Sequence, residues 1–351
     1  MKEKKLHIEF LRMLSILLVI FNHTGKFGYL YFTDMQDSPL HFVYFFFSVL
    51  CKIAVPLFWM VSGAVLIDKE ESLSELFRRR VLRIFLVLTV FSFLYYLYSA
   101  LDNPDFSFSP LYFAKLLYSV DMAPAFWFLY SYLGMLILLP LLRKLAKNLT
   151  NTEFLYFFLA MLLLRGLLPV LEYAFFHGET TLNPNFSANF LSYDLVFFLA
   201  GYYLEKRVTS LTWKRAGALL IFGLASLLII LSGTQLLLND GGSMTDANAE
   251  RFYAGLLLLP SAAVYYTARL CFLKVKPDSA FAGFVRFGGS VSFGVMLLEH
   301  FVRCESTPVI YLLRGFLPPL LSCVLWVIFI YFVCAAVTAV LRRIPFVRKY
   351  I

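Results

Sequence analysis

The chain has 351 residues, of which 60% are hydrophobic, 18% are aromatic and only 15% are charged, and its net charge is +9. A soluble domain carries about 25% charged residues, and its core could not bury the 39 Phe and 21 Tyr side chains of this chain. The composition therefore excludes an ordinary soluble protein and predicts a membrane protein. The cations lie in separate loops between apolar stretches, which also argues against nucleic acid as a partner.

Ten apolar stretches follow one another, each close to the roughly 20 residues that a helix needs to cross a bilayer. The first is not a cleavable signal peptide, because Arg12, Asn22 and His23 interrupt it and no small-residue cleavage site follows. We predict an all-α, polytopic integral membrane protein with about ten transmembrane helices and one transmembrane domain over residues 1–351. The stretches lie near residues 7–24, 41–67, 81–100, 124–142, 153–171, 189–204, 213–237, 252–272, 289–311 and 316–341.

The loops between these stretches alternate in charge. If the N-terminus is cytoplasmic, most of the 31 Lys and Arg residues fall in inner loops, whereas the outer loops are poor in both. Cytoplasmic loops of membrane proteins carry such an excess of cations. The pattern predicts that both termini are cytoplasmic, and it supports the helix number because a missed helix would reverse the alternation downstream.

Arg12 and His23 are charged or titratable residues inside the first stretch. They are 11 residues apart, close to three helical turns, so they share one face with an axial separation of about 16 Å. Such residues inside a membrane usually mark a site or a pathway. The alternative is that Arg12 snorkels towards the cytoplasm and His23 only caps the helix.

Arg78, Arg79, Arg80 and Arg83 form the densest basic cluster, at the start of the third stretch, and Arg83 follows Arg79 by four residues and Arg80 by three. Their i,i+3 and i,i+4 spacing predicts a shared helix face, and guanidinium groups so arranged suit a phosphate. The alternative is that they only anchor the helix at the lipid headgroups. His300, which follows Glu299 in the ninth stretch, is a second candidate; it could instead simply hydrogen-bond a neighbouring helix.

Five segments, taken together, resemble the acyltransferase 3 family of bacterial membrane acyltransferases. They match, in order, an Arg-x10-His pair, a Val-Pro-Leu-Phe stretch ending in Ser-Gly, a basic helix start, a Trp-Phe-Leu-Tyr helix start and a Ser-x-Gly pattern ending in His. This chain has Lys52 where the family more often has Arg. The segments are Ile8–His23, Lys52–Gly63, Arg79–Ile84, Phe126–Tyr130 and Ser292–His300.

The resemblance implies a stand-alone acyltransferase, without a C-terminal hydrolase-like domain, in the bacterial cytoplasmic membrane. Its expected partners are the bilayer, an acyl-CoA donor (often acetyl-CoA) and a carbohydrate or lipid-linked glycan of the cell envelope, with no metal. A histidine can take the proton of a sugar hydroxyl near neutral pH. We therefore assign catalytic roles to His23, Arg12 and His300, donor binding to Arg79, Arg80, Arg83 and Lys52, and acceptor binding to Trp127, Tyr130 and Glu299.

In this hypothesis His23 is the general base. Arg12 steers or holds the donor, and it is also a candidate to stabilise charge on the thioester oxygen. Two alternatives stay open from the sequence. Intramembrane Arg and His also suit a polysaccharide exporter or a proton-coupled transporter, and a scaffold of an envelope-synthesis complex would need neither residue.

Overall fold

The computed structural model describes residues 5–101, 106–183, 192–245 and 247–351, and within these ranges every regular element is a helix. The helices are α1 Leu6–Asn22, α2 His41–Cys51, α3 Ala54–Leu66, α4 Leu73–Leu76, α5 Leu82–Tyr98, α6 Pro110–Ser119, α7 Trp127–Asn148, α8 Asn151–Leu162, α9 Leu168–Phe176, α10 Tyr193–Tyr202, α11 Trp213–Asn239, α12 Ala247–Leu256, α13 Leu258–Cys271, α14 Ala280–Glu305, α15 Thr307–Arg314, α16 Pro319–Leu341 and α17 Pro345–Arg348. The predicted all-α fold is confirmed.

Seven helical stretches in the described residues are long and apolar enough to cross a membrane, and the pair α12–α13, bent by 44°, makes an eighth. The seven are His41–Leu66, Leu73–Tyr98, Trp127–Asn148, Asn151–Phe176, Trp213–Asn239, Ala280–Glu305 and Pro319–Leu341. The first and sixth predicted stretches form shorter helices, since α1 has 17 residues and α10 has 10. The polytopic membrane fold is confirmed, while the number of ten spans and the cytoplasmic termini stay predictions.

Local sequence signals explain where several helices begin. Ser72 and Glu75 form a capping box at the start of α4, and Thr150 and Glu153 form another at the start of α8. Each box satisfies backbone N–H groups that the first helical turn leaves without partners. Between α4 and α5 the chain makes a π turn, Phe77–Val81, so this part of the third span has more residues per turn than an α-helix.

Helices α1 and α14 cross with their backbones almost in contact. A Cβ atom at Gly289 would overlap the backbone of Glu9, and one at Gly288 would overlap the side chain of Met13. Close packing at small residues is how membrane helices associate. The two helices run in the same direction, because Gly289 packs on Glu9 while Glu299, further along α14, bonds His23 at the end of α1.

A second close crossing joins α3 to α10. A Cβ atom at Gly63 would overlap the carbonyl of Phe198, and one at Gly201 would overlap the carbonyl of Met60. Beyond the crossing, Asp68 and Lys206 form an ion pair. This contact fixes the span that carries Lys52 against the short helix α10.

We expect Gly63→Ala to destabilise the protein by about 1–3 kcal/mol or more, because the added methyl group meets backbone that cannot rotate away. Gly134→Ala is the matched control: Gly134 also lies inside a membrane helix, α7, but a Cβ there meets nothing within 4 Å. That variant should be neutral or slightly stabilising, since Ala is the better helix former. Thermal unfolding in one detergent measures both, and an unchanged Tm for Gly63→Ala would contradict the tight crossing.

Candidate active site

His23 and Glu299 form a hydrogen-bonded pair at one end of the α1–α14 contact. His23 caps α1, and its Nδ1 lies 2.7 Å from Oε1 of Glu299, which is fully buried. An ionised carboxylate only accepts hydrogen bonds, so Nδ1–H of His23 is the donor. Nε2 is left with the lone pair, and 19% of the His23 side chain is exposed. The imidazole is therefore held in the tautomer in which a histidine acts as a base.

Arg303 connects His300 to this pair. It lies one turn beyond Glu299 on α14, with its Nε 3.5 Å from Oε2 of Glu299 and its Nη2 2.6 Å from Nδ1 of His300. A guanidinium group can only donate, so Nδ1 of His300 accepts and the ring proton lies on Nε2. His300 thus carries an N–H donor at Nε2, 3.9 Å from Sγ of Cys304, whereas His23 presents a lone pair. The structure brings the two histidines together through Glu299 and Arg303.

Glu9 and Arg12 lie at the other end of the α1–α14 contact. Nη1 of Arg12 donates to Oε1 of Glu9 at 2.8 Å. Glu9 is buried beneath Gly289, and its Oε2 has no hydrogen-bond partner in the described part of the chain. The carboxylate holds one edge of the guanidinium group, and 31% of the Arg12 side chain stays exposed. Arg12 is therefore oriented by a buried acid and still accessible to a ligand.

Glu71 links two arginines next to this end. It accepts hydrogen bonds from Nε and Nη2 of Arg80 at 2.8 to 3.0 Å and from Nη2 of Arg143 at 2.7 Å. Arg143 also donates to the carbonyl of Leu66 at the end of α3. Burial acts to raise the pKa of the Glu71 carboxyl, but the hydrogen bonds from Arg80 and Arg143 outweigh it and keep that pKa below its ordinary value. Burial and then the charge of Arg80 lower the pKa of the neighbouring Lys69.

The three arginines predicted to share one helix face have different surroundings. Arg79 is 76% exposed and pairs only loosely with Glu75, at 3.6 Å. Arg83 donates from Nε to the carbonyl of Tyr350 at 3.0 Å. The expectation of a single face is therefore corrected for Arg79, which lies at the surface while Arg80 and Arg83 are each held by another part of the protein. The π turn Phe77–Val81 interrupts the α-helical spacing on which the expectation rests.

Tyr132 on α7 lies within electrostatic range of Arg80, Arg12 and Arg83. The charges of all three arginines act on its hydroxyl group, which also hydrogen-bonds Ser62. The two arginines at the start of the third span and the arginine of α1 therefore belong to one electropositive region, and Arg79 stays apart at the surface.

The model of the acyltransferase 3 family, described as an acyltransferase domain, matches residues 6–343. The chain belongs to the acyltransferase 3 family. The match spans nearly the whole chain and includes both ends of the α1–α14 contact. No curated protein and no solved structure matches the chain. With its apolar helices, the protein is a membrane acyltransferase, and the resemblance noted in the sequence is confirmed.

Lys52 lies apart from the other residues assigned to the donor of this acyltransferase. It occupies the break between α2 and α3, next to Cys51, whose carbonyl accepts a hydrogen bond from Asn22 at 2.9 Å. Leu66, which Arg143 contacts, is about 20 Å further along the same span at 1.5 Å per residue. Lys52 therefore belongs to the end of α1 that carries His23.

Trp127 and Tyr130, assigned to the acceptor, lie in the first turn of α7. Trp127 is 39% exposed. The hydroxyl group of Tyr130 donates to the carbonyl of Leu117 at 2.6 Å and so ties α7 to α6. Trp127 is accessible to a ligand, whereas the polar tip of Tyr130 is engaged by the protein; their acceptor roles stay predictions.

Sequence reasoning missed Glu9, Arg303 and Tyr132. Glu9 had a detectable signal, since an acid three residues before Arg12 in an apolar helix predicts an ion pair on the same face. Arg303 had the same signal, four residues after Glu299. Tyr132 had none, because nothing in the sequence separates it from the other 20 tyrosines of the chain.

Proposed function

We propose that this acyltransferase moves an acyl group, acetyl in the simplest case, from cytoplasmic acyl-CoA to a hydroxyl group of a cell-envelope carbohydrate. The observation that carries the proposal is the hydrogen bond between His23 and the buried Glu299, which leaves Nε2 of His23 free as a base. A hydroxyl group is a weak nucleophile until a base takes its proton. The family membership supports acyl transfer, and the histidine supports an oxygen acceptor.

The reaction assigns one step to each side chain. Nε2 of His23 takes the proton of the acceptor hydroxyl, and the oxygen attacks the carbonyl carbon of the thioester. The C–S bond then breaks, and the CoA thiolate leaves with the proton returned by His23. Glu299 stabilises the imidazolium that forms between these steps, as an acid behind a catalytic histidine does.

The negative charge on the thioester oxygen needs a hydrogen-bond donor close to His23. Arg12 is about 16 Å away along α1, so of its two expected roles we keep the one of holding the donor. His300 is linked to His23 through Glu299 and presents Nε2–H. We assign to it the stabilisation of the oxyanion.

Arg80, Arg83 and Arg12 form the donor site in this proposal, with the CoA phosphates near the first two. Their common neighbour Tyr132 supports one continuous electropositive region. The acyl-pantetheine arm would then run along α1 from Arg12 towards His23. Trp127 would meet the acceptor from the opposite side, by stacking on the sugar ring.

Release of free CoA tests the proposal directly. Purified protein in nanodiscs, given acetyl-CoA and de-O-acetylated envelope glycan, should release CoA and form an O-acyl ester in equal amounts. Release without ester formation would show a thioesterase, and neither product would contradict acyl transfer. An exporter would move the glycan across a membrane without consuming acetyl-CoA.

We expect Arg83→Ala to raise the KM for acetyl-CoA about tenfold or more, because a charged hydrogen bond to a phosphate contributes about 1.5–3 kcal/mol. Arg79→Ala is the matched control, since it removes the same charge four residues away on the exposed side. Its KM should change less than twofold. Equal effects of the two variants on KM would mean that the cluster acts only through its total charge.

A further inference from the structure

Lys52 lies at a short turn within the span His41–Leu66, close to the end of α1. Helix α2 ends at Cys51 and α3 begins at Ala54, so Lys52 and Ile53 form a two-residue turn between them. The carbonyl of Cys51 is satisfied by Asn22. His23 directly follows Asn22, and Lys52 directly follows Cys51. The hydrogen bond therefore holds the turn at Lys52 close to His23, the base of the proposed reaction.

Two tyrosine rings hold the ammonium group of Lys52. Nζ lies 4.9 Å from the ring centre of Tyr29 and 5.1 Å from that of Tyr253. Tyr29 is tied to the end of α1, because its backbone N–H donates to the hydroxyl of Thr24 at 3.0 Å. Tyr253 lies in α12, one turn before the bend that separates α12 from α13. Tyr29 and Tyr253 thus connect the segment that follows His23 to the bent span α12–α13.

The charge of Lys52 is not neutralised. Within the described residues no carboxylate lies at ion-pair distance from its Nζ, and Glu250 acts on it only at longer range. The free energy of inserting a lysine into the membrane is about 2.5–3.5 kcal/mol unfavourable. A cation–π contact with a ring face contributes about 0.5–2 kcal/mol of stabilisation but does not neutralise the charge. An oxyanion placed beside Nζ would supply the missing countercharge.

We infer that Lys52 binds a carboxylate group of a substrate next to His23, which rests on the proposed function. The acyl-transfer steps themselves leave Lys52 unused, since His23 moves the proton and His300 stabilises the oxyanion. Two sources supply this chemistry. The acyl group itself can end in a carboxylate, as succinyl does, or the acceptor sugar can carry a carboxylate.

Two matched pairs of probes separate the sources, each differing by one anionic group. The donor pair is acetyl-CoA and succinyl-CoA, and the acceptor pair is methyl glucoside and methyl glucuronide. Calorimetry or ligand-detected NMR on protein in nanodiscs gives Kd for each without turnover. We expect one pair to show at least tenfold tighter binding of its anionic member, and the pair that does so identifies the source.

The preference should disappear in Lys52→Met and persist in Lys52→Arg, which keeps the charge. Lys26→Met is the matched control, because it removes an exposed cation three residues after His23 and should leave the preference intact. A preference that survives in Lys52→Met overturns the inference. So does a wild-type protein without preference in either pair, and this result does not depend on whether any variant folds.

Failure of the inference and failure of the proposed function give different results. An anion preference that depends on Lys52, in a protein that releases no CoA with any acceptor, would keep the binding site and remove the reaction. Normal CoA release, together with no anion preference in the wild-type protein or with one that survives in Lys52→Met, would keep the reaction and remove the anion site.

Discussion

His23→Ala is expected to lower kcat for acyl transfer by about 10²- to 10⁴-fold, the usual contribution of a general base. The variant removes the atom that takes the hydroxyl proton, and it leaves the arginines that hold the donor in place. The KM for acetyl-CoA should therefore stay within about twofold. The rate of CoA release in nanodiscs, with ester formation followed by NMR of the glycan, measures both quantities.

His177→Ala is the control for this substitution. His177 also follows the end of a helix, but it is exposed and its Nδ1 bonds Asp240 at 2.8 Å, away from the α1–α14 contact. It should retain the wild-type rate. If His23→Ala retained that rate as well, the base would be another group. If His23→Ala and Arg12→Ala were both harmless to the cell-surface glycan, a scaffold would explain the protein better than an enzyme.

Glu299→Gln is expected to lower kcat by about 10- to 100-fold with little change in the KM for acetyl-CoA. The amide has the shape of the carboxyl group and can still accept from Nδ1–H, but it no longer offers a charge to the imidazolium. The loss of charge also leaves Arg303 without its buried carboxylate, so a lower Tm should accompany the lower kcat. Steady-state kinetics with both substrates gives the rate, and a titration of donor binding gives the fraction of folded protein. Dividing the rate by that fraction separates the catalytic effect from the structural one, because unfolded protein lowers only the fraction.

Glu305→Gln provides the control on the same helix. Glu305 lies near the end of α14, is exposed and accepts a hydrogen bond from the hydroxyl group of Tyr98. Its removal should leave kcat unchanged. Suppose that Glu299→Gln keeps full kcat per active site while His23→Ala is inactive. Glu299 would then have only a structural role, and other contacts would set the tautomer of His23.

Bends and irregular turns within the spans explain why the observed helices differ in length and boundaries from the predicted apolar stretches. Within the described part of the chain, the stretch 189–204 forms α10 and then enters a π turn, Tyr203–Arg207. The stretch 252–272 is divided by the bend between α12 and α13. Residues 184–191, where the sixth stretch begins, lie outside the described residues. Hydropathy measures composition over a window, so it detects apolar length but not where a helix unwinds.

Sequence alone determined the class of protein, the family and the common face of Arg12 and His23, because apolar length and helical spacing are properties of short segments. Only the tertiary structure decided which groups those residues contact. The bond between His23 and Glu299 joins residues 276 positions apart, and no local pattern predicts which helices will cross. The same crossing made Glu299, assigned to the acceptor from its motif, the buried partner of His23. The contact between α1 and α2 placed Lys52 near His23 and away from the arginines, because the hydrogen bond from Asn22 to the carbonyl of Cys51 depends on packing between helices.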